Sequence, residues 1–447
     1  MKAQRYGFIE ENKGFQPIRL DDVLIVFLLR ISILSRLFYD IFIFFYSSAI
    51  WLASFFSEKA KKWVTGRKNL PLTGKSAPSI WMHCSSLGEF EQGRPLLEAL
   101  RQQYPNYRII VSFFSPSGYE IRKNYPGADM VCYLPIDRPI HTKKILDDWN
   151  PKLVIWVKYE YWFHFLNEIH QRKIPLLLIS AIFRNNQPFF KPWGALWKNM
   201  LGFFSHIFVQ NESSFSLLEK LVPDYRRSVS GDTRYDRVVQ LINNPSELAN
   251  IDSFAGHHLC LVAGSTWPDD EKMLANVMHE APYLKLIIAP HNISSNLLLQ
   301  TKKMFPEAIF HSRLNSMQEN EIAAAKVLII DNIGMLSKLY AYGQIAYIGG
   351  GFNRSGIHNT LEAAVYGKPV VFGPIYHKFD EAKLLLDCGA AFHYKNAEEL
   401  HVILKELCNN EVKRNNSGEQ AAKMVHEKAG ATKKIMDYID GNRLLTS

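Results

Sequence analysis

From Val23 to Phe56 almost every position is apolar, and from about residue 75 the pattern changes to short apolar runs separated by stretches of helical spacing. In the second region the runs fall at Ser79–His83, Arg108–Phe113, Val131–Leu134, Leu153–Val157, Pro175–Ser180, Ile207–Gln210 and Ser228–Ser230. Helical spacing recurs between most of them, as at Pro95–Gln103 and Tyr161–Gln171. Continuous apolar strands alternating with helices predict a parallel sheet covered on both faces. The polar segment Gln240–His258, with its Asn-Asn-Pro, breaks the series and is the best linker. A second series follows at Leu259–Ala263, Leu284–Ala289, Val327–Asp331, Ile345–Ile348 and Pro369–Phe372, and the tail Glu419–Tyr438 reads as helical. The pattern predicts two doubly wound α/β units, 71–245 and 246–447, facing a cleft. Ligands in such sheets bind beyond the carboxyl ends of the strands, so the chemistry should follow each apolar run.

The apolar N-terminal region makes up a third unit, 1–70. Arg30, Arg36 and Asp40 interrupt it, and its longest uncharged piece, Ile41–Ser57, is 17 residues, at the short limit for a spanning helix. Lys59, Lys61, Lys62, Arg67 and Lys68 follow at once. Residues 1–70 hold 11 Lys and Arg against 6 Asp and Glu, so more than half of the net +9 lies there. That placement favours an anionic membrane surface over nucleic acid, and the basic flank puts the remainder of the chain in the cytoplasm. No small-residue cleavage site follows, so the segment is expected to stay as an anchor, either spanning or lying in the interface. The five cysteines are scattered, without a CxxC pair, which predicts buried free thiols in a reducing compartment.

The strand ends carry the candidate chemistry. In the second series "LCLVAGSTWPDDE" supplies Gly264, Ser265 and Thr266, "LIIAPHN" supplies Pro290 and His291, and "DNIGML" supplies Gly334, Met335 and Leu336. "GGGFNRSGIHNTLEAA" supplies Gly349–Gly351, then Asn359, Thr360, Leu361 and Glu362 entering a helix. Glycines allow close backbone approach, free N–H groups at helix starts favour a phosphate, and Glu362 suits ribose hydroxyls. His358 alone reads as a capping or packing residue. No P-loop and no complete dinucleotide fingerprint is present, and no residue pair demands a metal. The first series ends in ionisable groups instead: Glu89 and Glu91 after the first run, Lys158 and Glu160 in "VKYEYW", and Asp232, Arg234 and Asp236 in "SGDTRYD". Glu91 reads as a solvated or helix-start carboxylate.

Taken in order, "HCSSLGEFEQGRPL", "SFFSPSGYE", "YLPID", "VKYEYW", "FVQNESS", "SGDTRYD", "AGSTWPDDE", "IAPH", "DNIGML", "GGGFNRSGIHNTLEAA" and "GKPVVFGP" resemble the Kdo (3-deoxy-D-manno-octulosonic acid) transferases of lipopolysaccharide assembly, from about residue 37 to the end. The first 35 or so residues look like an extension that family members generally lack. The resemblance implies a GT-B fold, an acceptor domain at 71–245, a donor domain at 246–447, CMP-Kdo as donor and a lipid A precursor as acceptor at the cytoplasmic face of the inner membrane. No cofactor is implied beyond the donor. By position Glu89 matches the general base, and Glu160 and Arg234 match residues that stabilise the transition state. Pro290-His291, Gly334-Met335-Leu336 and Asn359-Thr360-Leu361-Glu362 match the CMP-binding segments. This chain departs from the common pattern in four places. Arg234 stands where Lys is usual, Pro290-His291-Asn292 where Pro-Arg-His is, Met335 where an acidic residue is, and "EYWFH" replaces Glu-Leu-Trp-Pro-Asn.

The expected reaction is a metal-independent inverting transfer, in which a carboxylate takes the acceptor proton and helix starts with a cation receive the leaving phosphate. The competing readings are a sugar-nucleotide epimerase of the same fold, another glycosyltransferase with a different acceptor, and a non-catalytic membrane scaffold. An epimerase has no use for the apolar N-terminus, and a scaffold leaves the glycine-bearing strand ends unexplained.

Overall fold

The structure, a computed structural model, describes residues 20–446 apart from 75–76, 159, 244–247 and 282, and for residues 20–35 it describes the backbone alone. The division drawn at 245/246 and the first 19 residues of the N-terminal unit therefore lie outside the described residues.

Two seven-stranded sheets account for both apolar series. The first contains β1 (Ser79–Cys84), β2 (Arg108–Phe113), β3 (Met130–Tyr133), β4 (Pro151–Val157), β5 (Leu176–Ala181), β6 (His206–Val209) and β7 (Arg227–Val229), in the order β3-β2-β1-β4-β5-β6-β7. The second contains β8 (Leu259–Thr266), β9 (Leu284–Pro290), β10 (Ile309–Phe310), β11 (Val327–Ile329), β12 (Ile345–Ile348), β13 (Val370–Phe372) and β14 (Ala391–His393), in the order β10-β11-β9-β8-β12-β13-β14. Neighbouring strands are parallel throughout. Side chains alternate across each sheet, so β1 sends Trp81 to one core, against Trp149, Trp156 and Phe165, and Ile80 and Met82 to the other. The short edge strands β10 and β14, which escaped the sequence reading, are only partly buried.

Three local departures from expectation have clear causes. The helix expected from Pro95 begins at Leu87 and runs to Gln103, with Ser86 capping it and Pro95 buried within it. Pro is favoured at a helix start, but here the Ser86 cap decides the boundary. Glu89 and Glu91 thus sit on helix rather than in a turn. The tail divides into Glu411–Lys428 and Ala431–Gly441, with Gly430 at φ 110° between them. The last helix crosses back: Ile435, Met436 and Ile439 join the core of the first sheet. Asp236 latches that crossing, accepting from the N–H groups of Gly430 (2.5 Å) and Thr432 (2.7 Å) and from the Thr432 hydroxyl (2.8 Å).

The N-terminal helix, Leu20–Ala53, packs on the first unit through Tyr39 and Ile43. Tyr39 donates to Asp137 at 2.5 Å, the Phe163 N–H donates to the Tyr39 oxygen, and Asp40 pairs with His164 at 2.5 Å. Tyr39 and Ile43 are buried, while Leu37, Phe38, Ile41, Phe42, Phe44, Phe45, Trp51 and Leu52 are exposed. The 18 residues Arg36–Ala53 are long and apolar enough to cross a membrane by length and composition. Lys59, Lys61, Lys62 and Lys68 are exposed beyond it. Arg67 is different: it donates to the carbonyls of Leu134, Trp63 and Phe114 and packs over the Trp63, Phe114 and Tyr133 rings. It is a structural cation, and burial lowers its pKa to about 9.

Candidate active site

The carboxyl end of β1 delivers Ser85, and its two donors hold two carboxylates together. The Ser85 N–H donates to Glu89 Oε2 at 2.5 Å, and its hydroxyl donates to Glu160 Oε1 at 2.6 Å. Glu160 is fixed further by Trp162 Nε1 (2.9 Å) and by His83 Nε2 (3.1 Å). His83 is buried; its Nδ1 lies 2.9 Å from Ser112 Oγ, which accepts from Trp81 Nε1 at 2.8 Å. A serine that accepts from Trp81 has its proton for His83 Nδ1, which leaves Nε2–H to donate to Glu160. The chain from Trp81 to Glu160 orients the carboxylate from beneath the sheet.

Glu89 has less help. Burial, only partly countered by the Ser85 and Ser86 N–H groups and worsened by the neighbouring Glu160 charge, raises its pKa to about 7. Lys158, at the end of β4, pulls the other way. Lys158 itself has φ 63°, a conformation that costs a non-glycine residue about 1–2 kcal/mol and collects at functional sites. A carboxyl poised near neutrality beside a fixed carboxylate is able to accept a proton from a bound hydroxyl.

Arg234 reaches across the cleft. Its Nε donates to Asp232 (2.7 Å), and its two terminal nitrogens donate to Glu381 of the second unit (2.7 and 3.2 Å). Asp232 and Glu381 are buried. Burial alone would lower the guanidinium pKa, but the two carboxylates outweigh it and raise it further. Arg234 is therefore a bridge between the two units. It divides a large cleft cavity of about 850 Å³ from a smaller one of about 320 Å³ that reaches Lys158 and Lys378.

The second unit contributes an aromatic pocket of about 380 Å³, lined by Ser265, Trp267, Pro290, His291, Gly334 and Leu336 among others. Trp267, His291 and His358 form a stack, with ring centroids 4.8 and 4.4 Å apart, and Trp267 Nε1 donates to His358 Nε2 at 3.2 Å. Burial and His291 lower the His358 pKa to about 4, which keeps it a neutral acceptor at pH 7. Asp270 holds the floor, accepting from the N–H groups of Trp267 and Gly350 and from the Tyr347 hydroxyl. Gly334, Leu336, Asn359 and Glu362 line the adjoining large cavity, and Asn359 donates to Glu362 at 3.0 Å.

At seven of the sequence-selected positions the structure shows internal packing, internal hydrogen bonds or a place outside the cavity linings. A Cβ on Gly264 would lie 2.0 Å from the Tyr340 hydroxyl, so that glycine serves internal packing. The Thr266 hydroxyl is committed to Glu271 at 2.9 Å. Thr360 and Leu361 are wholly buried, with the Leu361 N–H donating to Asn359 Oδ1 at 3.1 Å, and Met335 caps a short helix outside the lining of either cavity. Gly351 faces the Gly373 backbone, where a Cβ would approach within 2.5 Å; backbone contact, not ligand approach, requires it. Glu91 is part-exposed and ion-paired: Arg122 donates to it at 2.5 and 3.1 Å, Arg237 at 3.3 Å, and Arg94 lies 3.6 Å away. His83, Trp267, Asp270, Glu381 and the three arginines were not singled out in the sequence. Trp267 alone had a signal, its place directly after β8.

Residues 58–237 match the family model described as 3-deoxy-D-manno-octulosonic-acid transferase (kdotransferase). Residues 58–237 belong to the Kdo-transferase family. Similarity extends past that domain. The chain is 28% identical over 383 residues to the 3-deoxy-D-manno-octulosonic acid transferase of Rickettsia felis, covering 82% of this chain and 79% of the relative. It is 25% identical over 378 residues to that of Haemophilus influenzae, covering 80% and 86%. Among solved structures, UDP-GlcNAc 2-epimerase from Neisseria meningitidis bound to UDP-GlcNAc aligns with a TM-score of 0.55 at 15% identity, over 80% of this chain and 98% of that one. At that identity the likeness speaks for the two-sheet GT-B-like fold alone, which transferases share with epimerases. The chain thus carries a Kdo-transferase family domain at 58–237, is similar to named Kdo transferases over most of its length, and has a two-sheet GT-B-like fold.

Proposed function

We propose that the protein transfers Kdo from CMP-Kdo to a lipid A precursor at the cytoplasmic face of the inner membrane, by an inverting, metal-independent displacement with Glu89 as general base. The observation that carries the reading is the Ser85-bridged pair: Glu89, its pKa raised to about 7, beside a Glu160 held by Ser85, His83 and Trp162. Glu89 takes the proton of the acceptor hydroxyl as its oxygen bonds to the anomeric carbon of Kdo. The bond from that carbon to the phosphate oxygen breaks on the opposite face, and CMP leaves with the electron pair. Glu160 keeps its negative charge beside the developing positive charge at the sugar. The aromatic pocket takes the cytosine, with Trp267 and His291 offering ring faces, and Glu362 takes the ribose hydroxyls. Base and leaving group then belong to opposite units, as inversion requires. Arg234 is proposed to set the closure of the two units through Glu381 and to stabilise the leaving charge from that position.

The same reading assigns the N-terminal helix to the membrane interface rather than to a span. Tyr39, Asp40 and Ile43 fall inside the 18-residue apolar window yet are engaged by the first unit, so lipid cannot surround that window. Its outward aromatic face and the exposed lysines at 59–68 suit an anionic surface. The test is Glu89→Gln with CMP-Kdo and a tetraacyl disaccharide precursor. Transfer should vanish while CMP still binds, and retained turnover would remove Glu89 from its role. Stereochemistry of the linkage, read by NMR, tests inversion.

A further inference from the structure

The Thr233–Asn243 helix starts at the first sheet, shortly after β7, yet it sends Tyr235 and Val238 into the core of the second unit. Gly231, at φ 98°, makes the turn into it. One passage between the units therefore runs through residues 231–234, and the first unit pins it on both sides. On one side Gln92, a turn beyond Glu89 on the Leu87–Gln103 helix, donates from Nε2 to Asp232 Oδ1 at 3.1 Å. Gln92 is 1% exposed, and its Oε1 has no hydrogen-bond partner among the described residues. Asp232 can only accept, so the amide turns its NH2 inward and leaves a buried oxygen unmatched. An apolar residue would fill that place without the unmatched oxygen, but it would take a donor from a buried carboxylate. On the other side Ser180 Oγ lies 2.9 Å from Thr233 Oγ1, with both residues wholly buried. Ser180 reaches Thr233 from a left-handed backbone, φ 54°, where β5 loses register with β6, and Gln210 Nε2 holds its carbonyl at 3.0 Å. Serine rarely adopts that conformation, and such strain collects where placement matters. Asp232 passes the placement on. It accepts from the Arg234 N–H at 2.9 Å and from Arg234 Nε at 2.7 Å, which aims the terminal nitrogens of the same guanidinium at Glu381.

We propose that Gln92 and Ser180 are positioning residues: they hold Asp232 and Thr233 so that Arg234 keeps its two-pronged grip on Glu381, and with it the spacing of the cleft between Glu89 and the aromatic pocket. Neither side chain touches the reacting atoms. Gln92 and Glu89 share one helix, so the element that carries the base also carries the amide that steadies the bridge. The effect on rate rests on the functional reading above, whereas the bridge itself is read without turnover.

The test compares Gln92→Leu and Ser180→Ala with Arg234→Lys, each in the full chain in detergent. Hydrogen–deuterium exchange of the Asp380–Asp387 helix, read by mass spectrometry, reports the grip on Glu381. Both variants should speed exchange there at least about threefold, as Arg234→Lys does, and leave the strands of the first sheet unmoved. In Kdo transfer each should lower kcat at least about fivefold with the CMP Kd unchanged. Added to Arg234→Lys, Gln92→Leu should lower kcat by less than about a further twofold, because the grip is already lost; a merely structural amide predicts losses that multiply. Ser180→Ala deletes a single oxygen and carries the same comparison if Gln92→Leu fails to fold. Unchanged exchange over residues 380–387 in both variants overturns the proposal, as do losses that multiply. Faster exchange there, in a protein whose native form transfers no Kdo, would sink the functional reading and leave the positioning role standing.

Discussion

Glu89→Gln should make the protein inactive and, above neutral pH, more stable. Folding raises this carboxyl from an ordinary 4.5 to about 7, so the native state binds the proton more tightly than the unfolded chain. Stability is therefore unaffected below about pH 4.5, falls as pH rises towards 7, and stays reduced above it. The shift corresponds to about 3 kcal/mol at pH 8. Gln keeps an acceptor for the Ser85 N–H, and because the raised pKa already includes that bond's preference for the charged form, the expected gain stays at about 3 kcal/mol. Urea unfolding at pH 4.5 and pH 8 measures it: the variant should match the native protein at the lower pH and exceed it at the higher. The same ionisation governs rate. The ionised fraction of a carboxyl at about 7 rises about tenfold from pH 6 to pH 8, and kcat should follow it before levelling. A variant destabilised equally at both pH values, or a native rate flat from pH 6 to 8, would refute the description of Glu89 as a strained, half-ionised base.

Trp267→Ala should weaken CMP about tenfold in calorimetry by removing one ring of the stack, without altering unfolding of the first unit. Asp236→Ala removes the acceptor of three hydrogen bonds that tie the last helix to the first unit, and should cost roughly 2–4 kcal/mol in urea unfolding. Phe42→Asp/Phe45→Asp, two exposed positions on the N-terminal helix, should release the protein from anionic vesicles in a sedimentation assay while leaving its melting temperature within a few degrees. Arg234→Lys cannot make the two-pronged contact with Glu381, and should lower kcat at least about tenfold while leaving CMP affinity unchanged.

The periodic parts of the chain were legible in the sequence because burial on both sheet faces leaves continuous apolar runs. Twelve of the fourteen strands were anticipated from that signal, and the two missed, β10 and β14, are short edge strands only partly buried. The ends of the strands were legible as places but less so as roles. Ser265, His291, Gly334, Asn359 and Glu362 face cavities, whereas Thr266 and Gly264 are spent on the protein itself and Thr360 is buried. Nothing local distinguishes a hydroxyl that faces a ligand from one that caps Glu271. Long-range partnerships were invisible for the same reason. Arg234 with Glu381 and Glu91 with Arg122 join residues 147 and 31 positions apart, and no spacing rule links them. The helix start at Leu87 was misplaced because Pro95 is a stronger local punctuation mark than Ser86, although the cap satisfies the free N–H of Glu89.

The central claim is tested most directly by incubating the purified full chain with CMP-Kdo and a tetraacyl disaccharide precursor and following the lipid by mass spectrometry. The account predicts a lipid heavier by Kdo, CMP released in step, and neither product with Glu89→Gln. A lipid of unchanged mass with CMP-Kdo left intact, or Kdo transfer by Glu89→Gln at the native rate, would contradict it.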